Sequence, residues 1–353
     1  MTLPLNPPAD PHGIHDAETE GTIENKDVEG LSQAKIVWRK FIRHAGAIGG
    51  LGVLALIALL ALTSQGIGPI PGWWLHDYRA SGEVLNGGAP TWTLAEPFSP
   101  GTHPFGQDDI GRDNFARVMK GVQISLMIMV VIGAVSLVIG TLVGALAGYY
   151  RGWLDTILMR VTDGFIILPT IVVGAILGKL VGGVGGLVLG VALGAILWTG
   201  LARLVRGEFL ALREREFVDA ARVAGSSDFR IMFKHMVPNA VGVIIVNTTL
   251  LMSQAIVLET ALSFLGFGIT PPDVSLGSLI SEYQSSFSTR PWLFWWPGLF
   301  IIVIALCVNF IGDGLRDAFD PRQKKIPSTR QMERAAKKAA LGTTSTTTKE
   351  GRK

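Results

Sequence analysis

The chain has 353 residues, of which 48% are hydrophobic and 17% are charged, and its formal net charge is +3. Soluble domains carry nearer a quarter charged residues. Because the apolar residues here are gathered in long runs, the composition excludes an ordinary soluble domain and predicts an integral membrane protein. Cys307 is the only cysteine, which excludes an intrachain disulfide.

The chain begins with a polar stretch. Residues 1–33 are rich in Pro, Gly, Asp and Glu, which predicts a disordered tail. They lack the pattern of a secretory leader, in which a positively charged region is followed by an apolar region and a cleavage site with small residues. We therefore expect no cleavable signal peptide. Residues 35–44 alternate basic and bulky apolar side chains, which fits a membrane-surface segment and a plain flank equally well. With the apolar run that follows, we assign 34–64 to an interfacial segment and the first transmembrane helix.

Six apolar segments follow, each near the length of about 20 residues that a helix needs to cross the hydrocarbon. They are 45–64, 122–149, 157–181, 184–205, 239–262 and 292–312. Backbone polar groups cannot stay unpaired in lipid, so each segment must be helical. We predict an all-α integral membrane protein with six transmembrane helices, the third kinked at Pro169, which lacks a backbone donor.

The distribution of Lys and Arg predicts the orientation. The 203–234 loop carries seven of them, whereas the 263–291 loop carries only Arg290. Basic loops stay in the cytoplasm, so both termini should be cytoplasmic and the 65–121 loop extracytoplasmic. Five spans would then lie in a permease core over 122–321, followed by a disordered basic tail over 322–353.

Small residues recur along the spans at the spacing of one helix face. This pattern lets helix backbones approach closely, and packing within the chain is a more economical explanation than packing on a second subunit. The residues concerned are Gly140, Gly144, Gly148, Gly190 and Gly194.

Several kinds of chemistry are absent from the sequence. The nearest approach to a phosphate loop, Gly174 to Leu180, has one residue too few between its glycines and ends in Leu instead of Ser or Thr. Any ATP must therefore be hydrolysed by another chain. No metal-ligand or nucleophile–base pattern occurs, so we assign no catalytic residue, metal or cofactor to this chain. Lys179 and Glu259 lie near span ends, and the lack of charges at mid-membrane argues against an ion-coupled carrier.

A polar segment interrupts the apolar chain at 206–238. Its pattern predicts a helix over 207–224, a turn at Gly225, and a second helix over 229–237 with N-caps offered by residues 226–228. Pro238 should close the unit before the fifth span. A DNA-binding helix-turn-helix could look similar. The segment is tethered to spans at both ends and nearly balanced in acids and bases, so we expect no nucleic acid partner.

The same segment resembles the EAA loop of importer permeases of the ATP-binding cassette (ABC) class. The matching residues are Asp219-Ala220-Ala221, then Gly225 after three residues, and Pro238. Asp219 replaces the Glu of the family pattern, and His235 and Val237 replace its Ile and Leu. We refer to residues 206–238 as the coupling loop.

Three further stretches extend the resemblance to the dipeptide and oligopeptide branch of these permeases. They are 103–113, 259–268 with the following Pro271-Pro272, and 309–322. The resemblance covers roughly 35–323, and the chain is similar to the C-type permease subunit of a dipeptide/oligopeptide importer. It implies the MetI-like arrangement of six transmembrane helices with a cytoplasmic coupling loop.

The resemblance also implies partners. They are a second homologous permease, two cytoplasmic ATP-binding subunits that hold ATP and Mg, an extracytoplasmic peptide-binding protein and the lipid bilayer of a bacterial plasma membrane. It implies that a helix of the coupling loop contacts one ATPase through Glu216, Asp219, Ala220, Ala221, Gly225 and Pro238. The same fold could import another cargo, such as nickel or a sugar, and a channel or scaffold without ATPases is an alternative of a different class.

Overall fold

The computed structural model describes residues 33–92 and 101–320. The two predicted tails, 1–33 and 322–353, lie outside these residues apart from Gln33, which begins the first helix. The described residues up to Ala318 belong to one unit, and the described part of the second unit consists of Phe319 and Asp320 alone.

The described residues are almost entirely helical. The helices are α1 Gln33–Ile42, α2 Ala45–Gln65, α3 Asn114–Tyr150, α4 Gly152–Ile167, α5 Thr170–Val181, α6 Gly186–Leu197, α7 Thr199–Leu212, α8 Glu216–Val223, α9 Asp228–Phe264, α10 Leu276–Tyr283 and α11 Pro291–Phe319. Short 3₁₀ turns occupy Leu85–Gly88, Gly182–Val184 and Gln284–Ser286. Strands β1 Gly66–Ile67 and β2 Ile70–Pro71 pair antiparallel as a small hairpin.

The helices reproduce the predicted spans. Four of them, α2, α3, α9 and α11, are each long and apolar enough to cross a membrane. Two bent pairs qualify as one span each: α4 with α5, bent by 84°, and α6 with α7, bent by 46°. The break between α4 and α5 falls at Leu168 and Pro169, which is the kink predicted from the proline. With each pair taken as one span, the count reaches six, and the predicted all-α membrane fold is confirmed.

Several helices extend beyond the predicted apolar segments, and the second and fourth spans show why. The second span begins at Asn114 instead of 122, because the Asp113 side chain caps it by accepting from the Ala116 amide at 2.8 Å. The fourth continues to Leu212 instead of 205, so its polar end belongs to the same bent helix pair. In both cases polar residues extend a helix beyond its apolar part, so the length of the apolar segment underestimates the length of the helix.

The glycine pattern lies in contacts within the chain, as predicted. A methyl group at Gly144 would come within 2.7 Å of the Val205 side chain of α7, and one at Gly148 within 2.6 Å of Phe209. On another face of α3, a methyl group at Gly194 of α6 would approach the Val135 side chain to 2.7 Å. Helix α3 therefore packs against both halves of the fourth span at near backbone-to-backbone distance.

Candidate functional site

The coupling loop starts as an extension of α7 and not as a single helix over 207–224. Helix α7 ends at Leu212, the backbone becomes extended at Arg215, and α8 begins at Glu216. Arg213 lies in this break, where its guanidinium Nη1 donates to the Tyr149 carbonyl at 2.7 Å. The predicted helix over 207–224 is therefore two helices, and the end of α7 is held on the end of α3.

Gly225 ends α8 in the predicted way. Its φ is +76°, in the left-handed region that favours glycine. The Gly225 amide donates to the Arg222 carbonyl at 2.9 Å, and the Ser226 amide donates to the Ala221 carbonyl at 3.0 Å. This pair of bonds is the Schellman arrangement that satisfies the last carbonyls of a helix.

The second half of the loop differs from the prediction. Ser227 occupies the N-cap position, but its side chain makes no capping bond. From Asp228 the helix runs without interruption into the fifth span, so Pro238 does not close the unit. The helix accommodates this proline because residues 231–236 form a wider π-turn just before it. The Asn239 side chain then donates to the His235 carbonyl at 2.6 Å, giving a partner to a carbonyl beside the proline.

Of the residues predicted to contact an ATPase, five are exposed. Glu216, Asp219, Ala220, Gly225 and Pro238 face solvent, and Asp219 forms an exposed ion pair with Arg222 at 2.9 Å.

Ala221 is the exception among these six, because it is half-buried. It packs against an intrachain cluster that contains the fully buried Val218, together with Phe209 and Ile231. The inner face of α8 is thus an anchor within the chain, and only its outer face is open.

Three large apolar side chains of the coupling loop are exposed to solvent. The sequence did not predict that they form part of the protein surface. Val223 is 91% exposed, Phe229 68% and Phe217 37%. The Phe229 ring lies 4.5 Å from the ring of Phe233, measured between centroids. Their signal in the sequence was the placement of large apolar residues in an otherwise polar loop. We refer to Phe217, Ala220, Val223 and Phe229 collectively as the apolar patch.

The coupling loop is fixed to the spans by polar contacts as well. The Tyr149 hydroxyl at the end of α3 donates to Asp228 at 2.7 Å. The Arg206 guanidinium donates to both carboxylate oxygens of Asp155 at 2.5 and 2.7 Å, joining α7 to α4. The loop is therefore held on α3, α4 and α7 together.

A cluster of charged side chains lies at the other end of α3. Asp108 is fully buried, and its Oδ2 accepts from Arg112 Nε at 2.6 Å, from the Tyr283 hydroxyl at 3.1 Å and from Arg117 Nη1 at 3.3 Å. Glu282 of α10 accepts from Arg112 at 2.5 Å and from Arg117 at 2.6 Å, and Arg117 also donates to the Tyr283 hydroxyl. These contacts fasten α10 to the start of α3.

The charge balance of this cluster shifts the pKa of its members. Burial alone would raise the pKa of Glu282, but the hydrogen bonds and positive charges of Arg117 and Arg112 outweigh it, so the pKa is lowered. Burial raises the pKa of the Tyr283 hydroxyl well above its ordinary value. Glu282 is therefore held as a carboxylate and Tyr283 as a neutral donor.

The neighbouring Asp113 has three partners. Besides capping α3, its carboxylate accepts from Trp74 Nε1 at 2.8 Å and contacts His103 Nδ1 at 2.8 Å. His103 comes from the 103–113 stretch that carries part of the family resemblance. That stretch therefore connects the earlier part of the 65–121 segment, at Trp74, to the start of the second span.

Glu259 is buried within the bundle and bonded to serine hydroxyls. Ser263 Oγ donates to it at 2.7 Å and Ser125 Oγ of α3 at 3.2 Å. Ser275 Oγ extends this set to the residue before α10 by donating to Ser263 Oγ at 3.2 Å. Through Ser125, Glu259 is thus paired with a neighbouring helix.

Within the ranges 33–92 and 101–320, no group of three or more His, Cys, Asp or Glu is arranged to hold a metal ion. Cys307 is buried, as a packing residue would be.

Comparison with known families gives two matches. Residues 140–325 match the family described as binding-protein-dependent transport system inner membrane component. Residues 32–79 match the N-terminal TM domain of oligopeptide transport permease C.

Individual relatives are similar over most of their length. An oligopeptide transport system permease protein OppC from Mycobacterium tuberculosis is 41% identical over 229 residues, covering 64% of this chain and 79% of the relative. A putative peptide permease protein from Brucella ovis is 37% identical over 285 residues, covering 80% and 89%. Among solved structures, an inward-facing MetNI methionine ABC transporter chain aligns with a TM-score of 0.47 at 20% identity, covering 58% of this chain and 98% of that one.

Proposed function

The chain belongs to the binding-protein-dependent transport system inner membrane component family, and from this premise we propose that it is the peptide-importing permease subunit driven by ATPases docked on the coupling loop. Membership makes it a membrane permease subunit of an ABC importer and not an enzyme. The peptide cargo and the docking are the proposal.

Peptide cargo is supported by the names of the relatives, which are oligopeptide and peptide permease proteins at 37–41% identity. It is also supported by the match of residues 32–79 to a domain of oligopeptide permeases. The proposal includes the expected assembly: a second permease to complete the pore, two ATP-binding subunits and an extracytoplasmic peptide-binding protein. It places the protein in a bacterial inner membrane with both termini in the cytoplasm.

The apolar patch is the observation that carries the docking proposal. A side chain such as Val223, 91% exposed in the middle of a polar loop, leaves apolar area in water that a partner surface would cover. The buried face of α8, around Val218, is packed on the spans, so a force applied to the outer face reaches them through packed side chains.

The sharpest test of docking is a charge in the apolar patch. Val223→Asp removes an exposed side chain with no packing role, so the permease should insert and melt normally. Association with the ATPase subunits should weaken by roughly 30-fold or more, as for loss of an interface residue worth about 2 kcal/mol. Leu75→Asp is the matched control, because Leu75 is 95% exposed in the 65–121 segment. Co-purification of the ATPases and peptide uptake in proteoliposomes are the readouts.

A second test concerns the turn at Gly225. Gly225→Val places a β-branched residue at a φ of +76°, which costs about 1–2 kcal/mol or more and should misalign the patch. Gly225→Asn is its control, since Asn tolerates this conformation. Uptake should fall with Val and persist with Asn. Full ATPase binding by Val223→Asp, together with normal uptake by Gly225→Val, would contradict the docking proposal.

The cargo is tested separately. Uptake by the complete transporter should be measured with di-, tri- and longer peptides, a sugar panel and nickel. Transport of nickel or a sugar, with no peptide accumulated, would replace the peptide assignment while leaving the ABC permease intact.

A further inference from the structure

An open groove lies along α5, the second half of the bent third span. Ile171, Val172 and Ile176 form one wall, and Leu265 and Phe267, just after α9, form the other. The cavity has a volume of about 550 Å³, which lies in the range of about 300–1,000 Å³ typical of small-molecule sites. Its lining is apolar except for Lys179.

The groove has a defined shape because the two walls touch at a glycine. A methyl group at Gly178 of α5 would overlap the Phe267 carbonyl oxygen, so only glycine allows this approach. One turn earlier, a methyl group at Gly174 would come within 2.9 Å of the Leu262 side chain. The 265–267 segment is thereby held close against α5, and the groove is preformed.

Lys179 brings a positive charge into this apolar setting. It is exposed on α5, and no acidic side chain in 33–92 or 101–320 pairs with it. A lysine near the end of a transmembrane segment reaches either a water-filled pathway or the membrane surface, because facing lipid is costly. Broken transmembrane helices such as α4–α5 are also where transporters commonly place their binding sites. The chemistry that complements this groove is a carboxylate joined to an apolar group.

We propose that this groove receives the C-terminal end of a peptide, with Lys179 binding the free carboxylate and the apolar walls contacting the last side chain. The proposal rests on the proposed function, since it specifies which part of the cargo this chain contacts. A dipeptide or tripeptide end is small enough for the cavity, and its C-terminal carboxylate is a group that every unmodified linear peptide carries. The assignment thus gives a permease subunit a way to contact many peptides without selecting their sequence.

The test compares one peptide in two forms. The complete transporter, with its ATPases, second permease and binding protein, is reconstituted in liposomes. Transport rates are then measured for a tripeptide ending in Leu as the free acid and as the C-terminal amide. Both forms are supplied at saturating binding protein, and their affinities for that protein are measured separately. The permease variants are Lys179→Met, which is close in size and uncharged, and Lys179→Arg, which keeps the charge.

Lys179→Met should lower the acid-to-amide rate ratio at least tenfold, and Lys179→Arg should keep it within about threefold of the wild type. An unchanged ratio with normal rates would overturn the proposal, as expected if Lys179 reaches lipid headgroups instead. An equal loss for both forms with loss of subunit assembly would also overturn it, because Lys179 would then pair with an acid of the second permease. If the wild type transports neither form, the peptide function itself has failed.

Discussion

Replacing Asp108 by Asn removes the central charge of the cluster that fastens α10 to the start of α3. The Asp108 carboxylate is fully buried and accepts three side-chain donors at Oδ2, and the backbone amides of Ile110 and Arg112 donate to Oδ1 at 3.1 and 2.8 Å. An Asn side chain has one acceptor oxygen and one NH₂ group in place of the two carboxylate oxygens. Whichever way it is oriented, the NH₂ group faces hydrogen-bond donors that the carboxylate accepted, and those bonds are lost.

The expected cost follows from this geometry. Removing one partner of a buried, hydrogen-bonded ion pair destabilises a protein by about 3–5 kcal/mol, because a charge is left buried without compensation. Arg117 is only 2% exposed and retains Glu282, which places the expectation toward the lower end of that range. For a chain of this size such a loss lowers the melting temperature by about 4–5 °C.

The assay is thermal unfolding of the purified protein in one detergent, followed by intrinsic Trp fluorescence. Asp109→Asn is the matched control, because this neighbouring carboxylate is exposed and makes no polar contact within 33–92 and 101–320. It should melt within about 1 °C of the wild type, as expected for an isolated surface substitution. If Asp108→Asn melts together with Asp109→Asn, the cluster does not hold α10 and the reasoning is wrong.

Three other outcomes follow from the structure. The pKa of Glu282 is lowered on folding, so its stabilising contribution should be complete above the ordinary Glu pKa of about 4.3. This contribution should disappear as the pH falls through the lowered pKa. In melting experiments from pH 7 to pH 3, Glu282→Gln should lose that part of the acid dependence. Gly144→Leu should lower the melting temperature strongly, because the larger side chain overpacks α3 against α7. Gly52→Leu is the control and should leave the melting temperature unchanged, because the space at its Cβ position is open. Equal melting temperatures for the two variants would contradict the close helix contact. Glu259→Leu leaves the hydroxyls of Ser125 and Ser263 without their acceptor and should cost about 1–3 kcal/mol per unsatisfied group, measured as a melting shift larger than that of Glu259→Gln.

Much of the fold could be predicted from the sequence because bilayer constraints act on local composition. The apolar segments had to be helical, the proline at 169 marked the 84° bend, and the four-residue glycine spacing marked the face on which α3 packs. Gly225 was predicted to be a left-handed cap, and it has a φ of +76°. Each of these features depends on residues within about one helical turn of one another.

What the sequence did not reveal depends on distant residues. The first turns of the second span carry Arg117, whose partner Glu282 lies 165 positions further along the chain. Near the break before α8, Arg213 donates to the Tyr149 carbonyl, 64 positions earlier, and helical periodicity within the loop carries no trace of that contact. Pro238 indicated a helix end, and the π-turn that lets the helix continue through it leaves no signature in the side chains.

The glycine contacts of α3 have a mechanical consequence. Where two helices meet through glycines, few side-chain torsions lie between their backbones to take up a displacement. Helix α3 has 37 residues, so it reaches about 55 Å from the Asp108 cluster to Tyr149 beside the coupling loop. At Gly144 and Gly148 it is coupled almost directly to α7, the helix that leads into that loop. A displacement of α7 at these two contacts should therefore be passed to α3 with little loss.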